Sequence, residues 1–224
     1  GRLFYNNVTD HLVTVGITGT KGKSTTAYYM RYILNDWLSS QGKPDCALIS
    51  SIDTYDGVVN EESHITTPEV LELYRHFQNA LDSGITHLVM EVSSQSLKVG
   101  RVRGMTFDVG AFLNIGEDHI SPIEHPDFED YLYCKSLLFK QCRIGIVNKD
   151  DPNCERVLKG HTCEIETFGM SDSCMLRAGS IELIKKPGEL GAAFDVKGLM
   201  EFHARVASPG RFSVYNALAA IRLV

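Results

Sequence analysis

A glycine-rich loop between an apolar stretch and a helical segment constrains this sequence most strongly. The run GITGTKGKSTT occupies residues 16–26 and continues the apolar residues 12–17. Glycines let the backbone turn sharply, so that several N–H groups can face phosphate oxygens. A helix that follows directly presents the positive end of its dipole to the same anion. The sequence therefore predicts a phosphate-binding loop for a nucleoside triphosphate.

The polar side chains of this loop predict how the triphosphate is held. Lys23 can reach the outer phosphates, and Ser24 can offer its hydroxyl to Mg²⁺. The spacing is shorter than in the common P-loop, which would require glycine where Ile17 stands. A solvated glycine-rich turn is the alternative, and the position between a strand and a helix argues against it. The residues expected to contact ATP from this loop are Gly19, Thr20, Lys21, Gly22, Lys23, Ser24 and Thr25.

Composition narrows the class of protein. The chain has 224 residues and a formal charge of −6, which argues against a nucleic-acid partner. No apolar stretch approaches the length that crosses a bilayer, so no membrane partner is expected. The six cysteines are scattered without a Cys-x-x-Cys pair, which is typical of reduced thiols in the cytoplasm.

Apolar and amphipathic segments alternate along most of the chain, which predicts an α/β fold with a mostly parallel sheet flanked by helices. The predicted strands are residues 12–17, 47–52, 87–92, 108–113 and 143–147. The predicted helices are residues 23–40, 68–81 and 128–140. From 163 to 206, short segments broken by glycines predict a small antiparallel β subdomain, and a final helix begins after Pro209-Gly210. The chain stops inside that helix, so we expect an excised fragment.

Further polar residues follow the predicted strands, where a parallel sheet places its ligands. Glu91 closes the strand 87–92 and could give Mg²⁺ the hard oxygen ligand that it prefers; a capping glutamate is the alternative. Asn114, Asp118 and His119 follow the strand 108–113. Taken locally, His119 is a metal ligand or a loop histidine, and the second interpretation is favoured.

Two other segments have structural interpretations when they are taken alone. Thr67 and Pro68 predict the N-cap and the first position of the helix 68–81. Lys135 lies among apolar residues of a helix and is locally interpreted as a surface lysine whose stem covers apolar neighbours.

Taken together, these motifs resemble the central ATPase domain of the Mur ligase family, most closely its MurE branch. The matching pieces are residues 19–26, 66–69, 91–94 with Arg101, Asn114 with 118–119, 134–139, 148–151, 210–212 and 216–220. The resemblance spans essentially the whole chain, with the pieces in the family's order. It implies that residues 1–10 are a linker from a missing N-terminal domain and that residues 11–224 are the ATP-binding domain. The family's C-terminal domain would then be absent.

The resemblance implies an ATP-dependent ligase that adds an amino acid to UDP-MurNAc-L-Ala-D-Glu through an acyl phosphate. The implied catalytic residues are Lys23, His119 and Lys135. The implied metal ligands are Ser24, Glu91, His119 and Lys135, for two Mg²⁺ ions. Lys135 matches a family lysine that CO₂ carbamylates, and this modification turns a cation into an anion that can support Mg²⁺.

The remaining family positions concern the substrates and the nucleotide. Thr66, Thr67, Ser93 and Arg101 match positions that bind the UDP-muramoyl-peptide. Asn114 and Asn216 match residues of the nucleotide site, the latter near the adenine. The implied partners are the UDP-muramoyl-peptide and an amino acid, in a cytoplasmic protein that we expect to be a monomer. The isolated fragment is expected to bind nucleotide weakly and to catalyse little or no ligation.

Some positions depart from the family's pattern. Ile120 and Ser121 follow His119 where the family has leucine and aspartate, and an insert-like stretch at 121–127 comes next. Gln95 replaces a histidine, and Ser213 replaces an asparagine near the adenine.

Two alternative functions therefore stay open. One is a paralogous ligase with another carboxylate substrate, of the MurT, folylpolyglutamate or cyanophycin synthetase type. The other is a nucleotide-binding module without ligase chemistry. The added amino acid, lysine, diaminopimelate or another, is left open.

Overall fold

The fold is a single mixed sheet covered on both faces by helices. The computed structural model describes Tyr5, residues 7–118 and residues 120–224. In these residues the strands are β1 (Val13–Thr18), β2 (Ala47–Ile49), β3 (Asp53–Tyr55), β4 (Asn60–Glu62), β5 (His87–Glu91), β6 (Phe107–Phe112), β7 (Cys142–Asn148), β8 (Glu164–Gly169), β9 (Leu176–Lys186), β10 (Glu189–Gly198) and β11 (Phe202–Val206). The α-helices are α1 (Lys23–Ser40), α2 (Val70–Asp82), α3 (Ser94–Lys98), α4 (Phe128–Ser136), α5 (Cys154–Val157) and α6 (Arg211–Leu223). A 3₁₀ turn, Leu137–Lys140, continues α4.

The sheet order places β1 at the centre of the parallel region. The order is β11-β10-β9-β8-β7-β6-β1-β5-β2-β3-β4. β1 pairs in parallel with β5 on one side and β6 on the other, so that Val15 lies beside both Val89 and Val109. The chain leaves β1 toward β2 on one side, and β6 lies on the other. The carboxyl end of β1 is therefore a topological switch point, where open α/β sheets bind ligands.

Alternate residues of the central strands enter two separate cores. Leu88 and Met90 of β5 pack into the core beneath α2 and α4, whereas Val89 packs with α1 and α6 on the opposite face. This alternation follows from the two-residue period of a strand. Burial on both faces explains why the parallel strands are continuously apolar in sequence. The predicted α/β class, with a mostly parallel sheet, is confirmed.

The antiparallel part begins later than the sequence predicts. β9, β10 and β11 pair antiparallel, as expected for the C-terminal part of the chain. β8, however, pairs in parallel with β7, in the register Ile144 to Glu164. The segment 163–206 therefore extends the main sheet rather than forming a separate antiparallel sheet.

The strand predicted at 47–52 ends early because Ser50 folds its side chain back onto the chain. Ser50 Oγ accepts hydrogen bonds from the amides of Ile52 and Asp53 at 3.1 and 3.0 Å. Such local bonds compete with the sheet ladder and favour a turn. The chain therefore reverses into β3, which pairs antiparallel with β2.

The start of α2 also differs from the prediction. Its N-cap is Glu69, so Thr67 and Pro68 lie before the helix. The Thr67 hydroxyl donates instead to the backbone oxygen of Glu91 at 2.9 Å, across to the end of β5. The Thr67 side chain, which sequence reasoning assigned to capping, therefore makes a tertiary contact instead.

Within the described residues, no helix combines the length and the apolar character needed to span a membrane.

The β3–β4 hairpin is anchored to α2 by the buried carboxylate of Asp56. Asp56 Oδ1 accepts the amides of Val58 and Val59 at 2.9 and 2.6 Å, and Oδ2 lies 2.7 Å from His76 Nδ1. Asn79 Nδ2 donates to the same Oδ2 at 2.8 Å. Burial alone would raise the pKa of Asp56, but the hydrogen bonds from these amides and side chains outweigh it and hold the pKa below its usual value.

Replacing Asp56 should test this anchor. Because Asp56 has a lower pKa in the folded chain than in the unfolded chain, its stabilisation is present above about pH 4 and is lost as the pH falls. We expect Asp56→Ala to lower the free energy of unfolding by about 3 kcal/mol near pH 7, since several buried hydrogen-bonding groups lose their acceptor. Urea unfolding at several pH values measures this difference, which should shrink below about pH 4. Asp36→Ala, at an exposed position of α1, is the control. A difference independent of pH would contradict the assignment.

Candidate active site

The loop between β1 and α1 is held in place by Asn114, which follows β6. The backbone oxygen of Asn114 accepts the Thr20 amide at 3.0 Å. Its side chain makes two bonds of 2.9 Å with Lys21, one to the amide and one to the carbonyl oxygen. The Asn114 side chain therefore bonds both backbone groups of Lys21, the amide and the carbonyl oxygen, and fixes the path of the loop.

Gly22 is required by its backbone and by a neighbour on α6. Its φ is +88°, a left-handed conformation that favours glycine, and a Cβ atom here would lie 2.3 Å from Asn216 Oδ1. The buried Asn216 amide therefore packs directly against the backbone at the start of α1. In the predicted nucleotide set, Thr25 is exposed on the first turn of α1.

Two lysines converge on one carbonyl oxygen of the loop. Lys23 Nζ donates to Gly19 O at 3.1 Å, and Lys135 Nζ donates to the same atom at 3.0 Å. Burial is the main cause that lowers the pKa of each lysine, and for Lys135 the positive charge of Lys23 adds to it. The negative charge of Asp118 acts in the opposite direction on both. The site thus concentrates positive charge beside the loop.

Lys135 is buried, which corrects its local interpretation as a surface lysine. Only 1% of the residue is exposed, and its Nζ lies 4.5 Å from the centre of the Tyr131 ring. The Tyr131 hydroxyl is 3.0 Å from Thr20 Oγ1, so α4 contacts the loop through two of its side chains. The fold thus places Lys135 beside the loop, and the role that the family resemblance implies for it stays a prediction.

Hard oxygen atoms form a second group beside the loop. Ser24 Oγ lies 3.0 Å from Ser51 Oγ. The amide and the hydroxyl of Ser51 donate to Glu91 Oε1 at 2.9 and 3.3 Å. Ser24 and Glu91, predicted as metal ligands, are therefore joined through one intervening residue. Their hydroxyl and carboxylate oxygens are the ligand types that Mg²⁺ prefers. His119, the further predicted ligand, lies outside the described residues.

The residues predicted to bind the peptide substrate form a hydrogen-bonded wall. Thr67 Oγ1 accepts the Ser93 amide at 3.2 Å, in addition to its bond to Glu91. Arg101 Nη1 donates to Thr67 O at 3.1 Å, and its Nη2 lies 2.5 Å from Glu69 Oε1. Strand β5, helix α3 and the segment before α2 thus meet at Thr67.

Two cavities flank the loop. The first, here called the substrate cavity, is lined by Gly19, Lys23, Ile65, Thr66, Thr67, Ser93, Ser94, Gln95, Arg101, Glu124, His125, Tyr131 and Lys135. The second, called the nucleotide cavity, is lined by Thr20, Lys21, residues 114–118, Asn148, residues 150–152, Phe212 and Tyr215. The loop lies between the two cavities: Gly19 and Lys23 line the substrate cavity, and Thr20 and Lys21 line the nucleotide cavity.

Sequence reasoning missed several residues in or beside these cavities. Tyr215 on α6 donates to Asp150 Oδ2 at 2.9 Å and joins the helix to the loop after β7. His125 lies at the substrate cavity, and Ser51 joins Ser24 to Glu91. None of the three had a clear sequence signal, because Ser51 lies inside the predicted strand 47–52 and the other two depend on contacts between distant segments.

The chain is similar to known proteins over nearly its whole length. The family model described as Mur ligase middle domain matches residues 17–224. A UDP-N-acetylmuramyl-tripeptide synthetase of Bifidobacterium longum is 40% identical over 98% of this chain and 43% of its own length. A UDP-N-acetylmuramoyl-L-alanyl-D-glutamate–L-lysine ligase of Streptococcus mutans is 41% identical, over 97% of this chain and 42% of its own. A corresponding 2,6-diaminopimelate ligase of Clostridium acetobutylicum is 39% identical, over 99% and 44%. The chain spans less than half the length of these relatives.

Solved structures share the fold. A UDP-N-acetylmuramoyl-L-alanyl-D-glutamate–2,6-diaminopimelate ligase superposes with a TM-score of 0.78 at 22% identity, covering 98% of this chain and 45% of its own. The MurF ligase of Thermotoga maritima in complex with ADP superposes with a TM-score of 0.63 at 15% identity, covering 99% and 48%. At these identities the likeness concerns the fold.

Gly22→Ala should separate the cost of the backbone conformation from the cost of the Asn216 contact. Gly42 is a matched control, because its φ is +66° and a Cβ atom added there would have no atom within 4 Å. We expect Gly42→Ala to cost about 1 kcal/mol, and Gly22→Ala to cost about 1–3 kcal/mol more because of overpacking. Urea unfolding measures both values. In a double-mutant cycle with Asn216→Ala the additional cost should disappear; equal costs for the two glycines would contradict the contact.

Proposed function

Because the chain belongs to the family of Mur ligase middle domains, we propose that it is the ATP-binding part of a longer ATP-dependent ligase. The proposed reaction joins an amino acid to UDP-MurNAc-L-Ala-D-Glu and forms an amide, ADP and phosphate. The substrate carboxylate is first phosphorylated, and the amine of the amino acid then attacks the acyl phosphate. A cytoplasmic location and a monomeric state are parts of the same proposal.

One observation carries this proposal. The substrate cavity brings Thr67, Ser93 and Arg101 to the same space as Lys23 and Lys135. A carboxylate bound at the wall would therefore lie close to a triphosphate bound at the loop. Transfer of a phosphoryl group needs such positioning and charge neutralisation more than covalent assistance from the protein.

The residues of the loop fit a triphosphate and Mg²⁺. The left-handed backbone of Gly22 turns the loop so that its N–H groups can face a phosphate, and Lys23 brings a positive charge to the outer phosphates. Ser24 and Glu91 would hold Mg²⁺, His119 would contribute to a second ion, and Asn114 and Asn216 would shape the nucleotide side. Bound Mg²⁺ supplies positive charge that stabilises the phosphoryl group in transfer.

A carbamate on Lys135 is also part of the proposal. Formation of the carbamate needs the neutral amine, whose nitrogen bonds to the carbon of CO₂ and releases a proton. Burial and the charge of Lys23 lower the pKa of Lys135, which favours the neutral amine. The modification replaces one of two neighbouring positive charges with a negative charge. An anion at this position would pair with Lys23 and with a bound cation.

The names of the relatives contain two amino acids, and these are the first to test as the amino acid that is added. One relative is named as an L-lysine ligase and another as a 2,6-diaminopimelate ligase. We propose that one of these two is the added amino acid.

The proposed reaction can be measured as ADP release by the complete protein that contains this chain. We expect turnover only when ATP, Mg²⁺, UDP-MurNAc-L-Ala-D-Glu and one amino acid are all present. Lys23→Ala should lower kcat/KM by at least about 100-fold, since the outer phosphates lose a positioned charge. Lys159→Ala, at an exposed position outside both cavities, is a control for the loss of a lysine and should have a much smaller effect.

Other outcomes would replace the proposal with one of its alternatives. Turnover with a different carboxylate substrate would identify a paralogous ligase. ATP binding without turnover, and without any response to carboxylates, would indicate a nucleotide-binding module.

Carbamylation of Lys135 can be detected by ¹³C NMR in ¹³C-bicarbonate. We expect a carbamate signal that disappears in Lys135→Arg and returns reversibly after CO₂ is removed and restored. The exposed Lys140 is a control, because Lys140→Arg should keep the signal. A wild-type spectrum without a carbamate signal at saturating bicarbonate would exclude this part of the proposal.

A further inference from the structure

Three side chains outside the predicted site form a linear hydrogen-bonded chain at the substrate cavity. Ser94 Oγ lies 2.9 Å from His125 Nε2, and His125 Nδ1 lies 2.7 Å from Asp130 Oδ2. His125 is fully buried, and 6% of Ser94 is exposed. Both Ser94 and His125 line the cavity that also contains Thr67, Ser93 and Arg101.

The insert-like stretch before α4 brings His125 to this position. The backbone oxygen of His125 accepts the Ser121 amide at 2.9 Å, which closes the loop. Lys98 Nζ donates to the backbone oxygen of Glu124 and to Asp130 Oδ2, both at 2.7 Å. Lys98 thus holds the loop and the carboxylate together, and it holds the pKa of Asp130 below its usual value. Asp130 is therefore a fixed acceptor.

The direction of each hydrogen bond follows from the chemistry of the partners. An ionised carboxylate can only accept, so His125 donates its Nδ1 proton to Asp130. A neutral imidazole protonated on Nδ1 has only a lone pair at Nε2. In this neutral form of His125, the Ser94 hydroxyl donates its single proton to Nε2. Its own lone pairs are left to accept a hydrogen bond from the substrate cavity.

We propose that Ser94 is a hydrogen-bond acceptor for an N–H group of the substrate, and that His125 and Asp130 are positioning residues that impose this role. The inference rests on the proposed function. Lys23, Arg101 and Lys135 offer donors to this cavity, which suit phosphate and carboxylate groups. Ser94 adds an acceptor, which suits the other polar group of a peptide substrate. The N–H comes from the peptide of the nucleotide substrate or from the amine of the amino acid.

The first test removes the acceptor in the complete ligase. Ser94→Ala should raise the KM of one substrate about tenfold, the equivalent of one hydrogen bond. The KM of ATP should stay close to that of the wild type, and the thermal midpoint should fall by only a few degrees, because the buried Nε2 of His125 loses its donor. A rise in the KM of the nucleotide dipeptide assigns the N–H to the peptide, and a rise in the KM of the amino acid assigns it to the amine. Unchanged KM values for both would overturn the proposal.

The second test separates the two bonds of His125. In His125→Gln, the amide can reach the position of Nε2 and accept from Ser94. In His125→Asn, the shorter amide reaches only the position of Nδ1 and keeps the bond to Asp130. We expect glutamine to retain the KM of the affected substrate within about threefold, and asparagine to raise it about as much as Ser94→Ala. The two changes should not add in the Ser94→Ala/His125→Asn double variant.

The outcomes distinguish this inference from the proposed function. Normal KM values in His125→Asn together with impaired values in His125→Gln would mean that His125 only anchors α4, and would overturn the proposal. Equal effects of His125→Asn and His125→Gln on the KM would also overturn the proposal. If the wild-type protein shows no turnover with the nucleotide dipeptide, the proposed function itself fails, before any variant is compared.

Discussion

The carbonyl oxygen of Gly19 is the point on which the site depends. It accepts hydrogen bonds from both Lys23 and Lys135. The two Nζ atoms therefore cannot lie farther apart than the combined length of these two hydrogen bonds. In the described part of the chain, neither lysine forms an ion pair with a carboxylate, and burial lowers the pKa of both. Two positive charges this close together would be costly without an anion, since Lys135 is buried. The loop is therefore built to receive negative charge, and β1, α1 and α4 are arranged around that requirement.

The end of β5 couples the oxygen ligands to the substrate wall. The side chain of Glu91 faces Ser51, while its backbone oxygen accepts the Thr67 hydroxyl. A shift of this residue would therefore move the predicted metal ligand and the predicted peptide-binding wall together. Since β5 pairs in parallel with β1, the same register also fixes both relative to the phosphate loop. The relative position of the predicted metal ligand and the predicted peptide-binding wall thus follows from strand pairing in the centre of the sheet.

The sequence predicts the parallel strands of the core well, because the apolar character of such a strand is visible in consecutive residues. It fails where a side chain has both a local and a distant partner: Thr67 is a plausible N-cap, yet its hydroxyl bonds to β5. Lys135 shows the same limit, because its neighbours in sequence suggest a surface position while the fold buries it. Resemblance to a family supplied the site role of Lys135, and His125 needed the tertiary structure. Local pattern thus predicts elements, and long-range contacts decide which polar side chains enter the site.

The departure from the family's pattern after His119 has a physical consequence in this chain. The loop closes on itself through His125 and is tied to α3 by Lys98. Because Asp130, the partner of His125, lies on α4, the loop joins α3 to the helix that carries Lys135. The wall of the substrate cavity and the buried lysine are therefore held by one polar network. A sequence change in this loop would therefore alter the hydrogen bonds that His125 makes to Ser94 and Asp130.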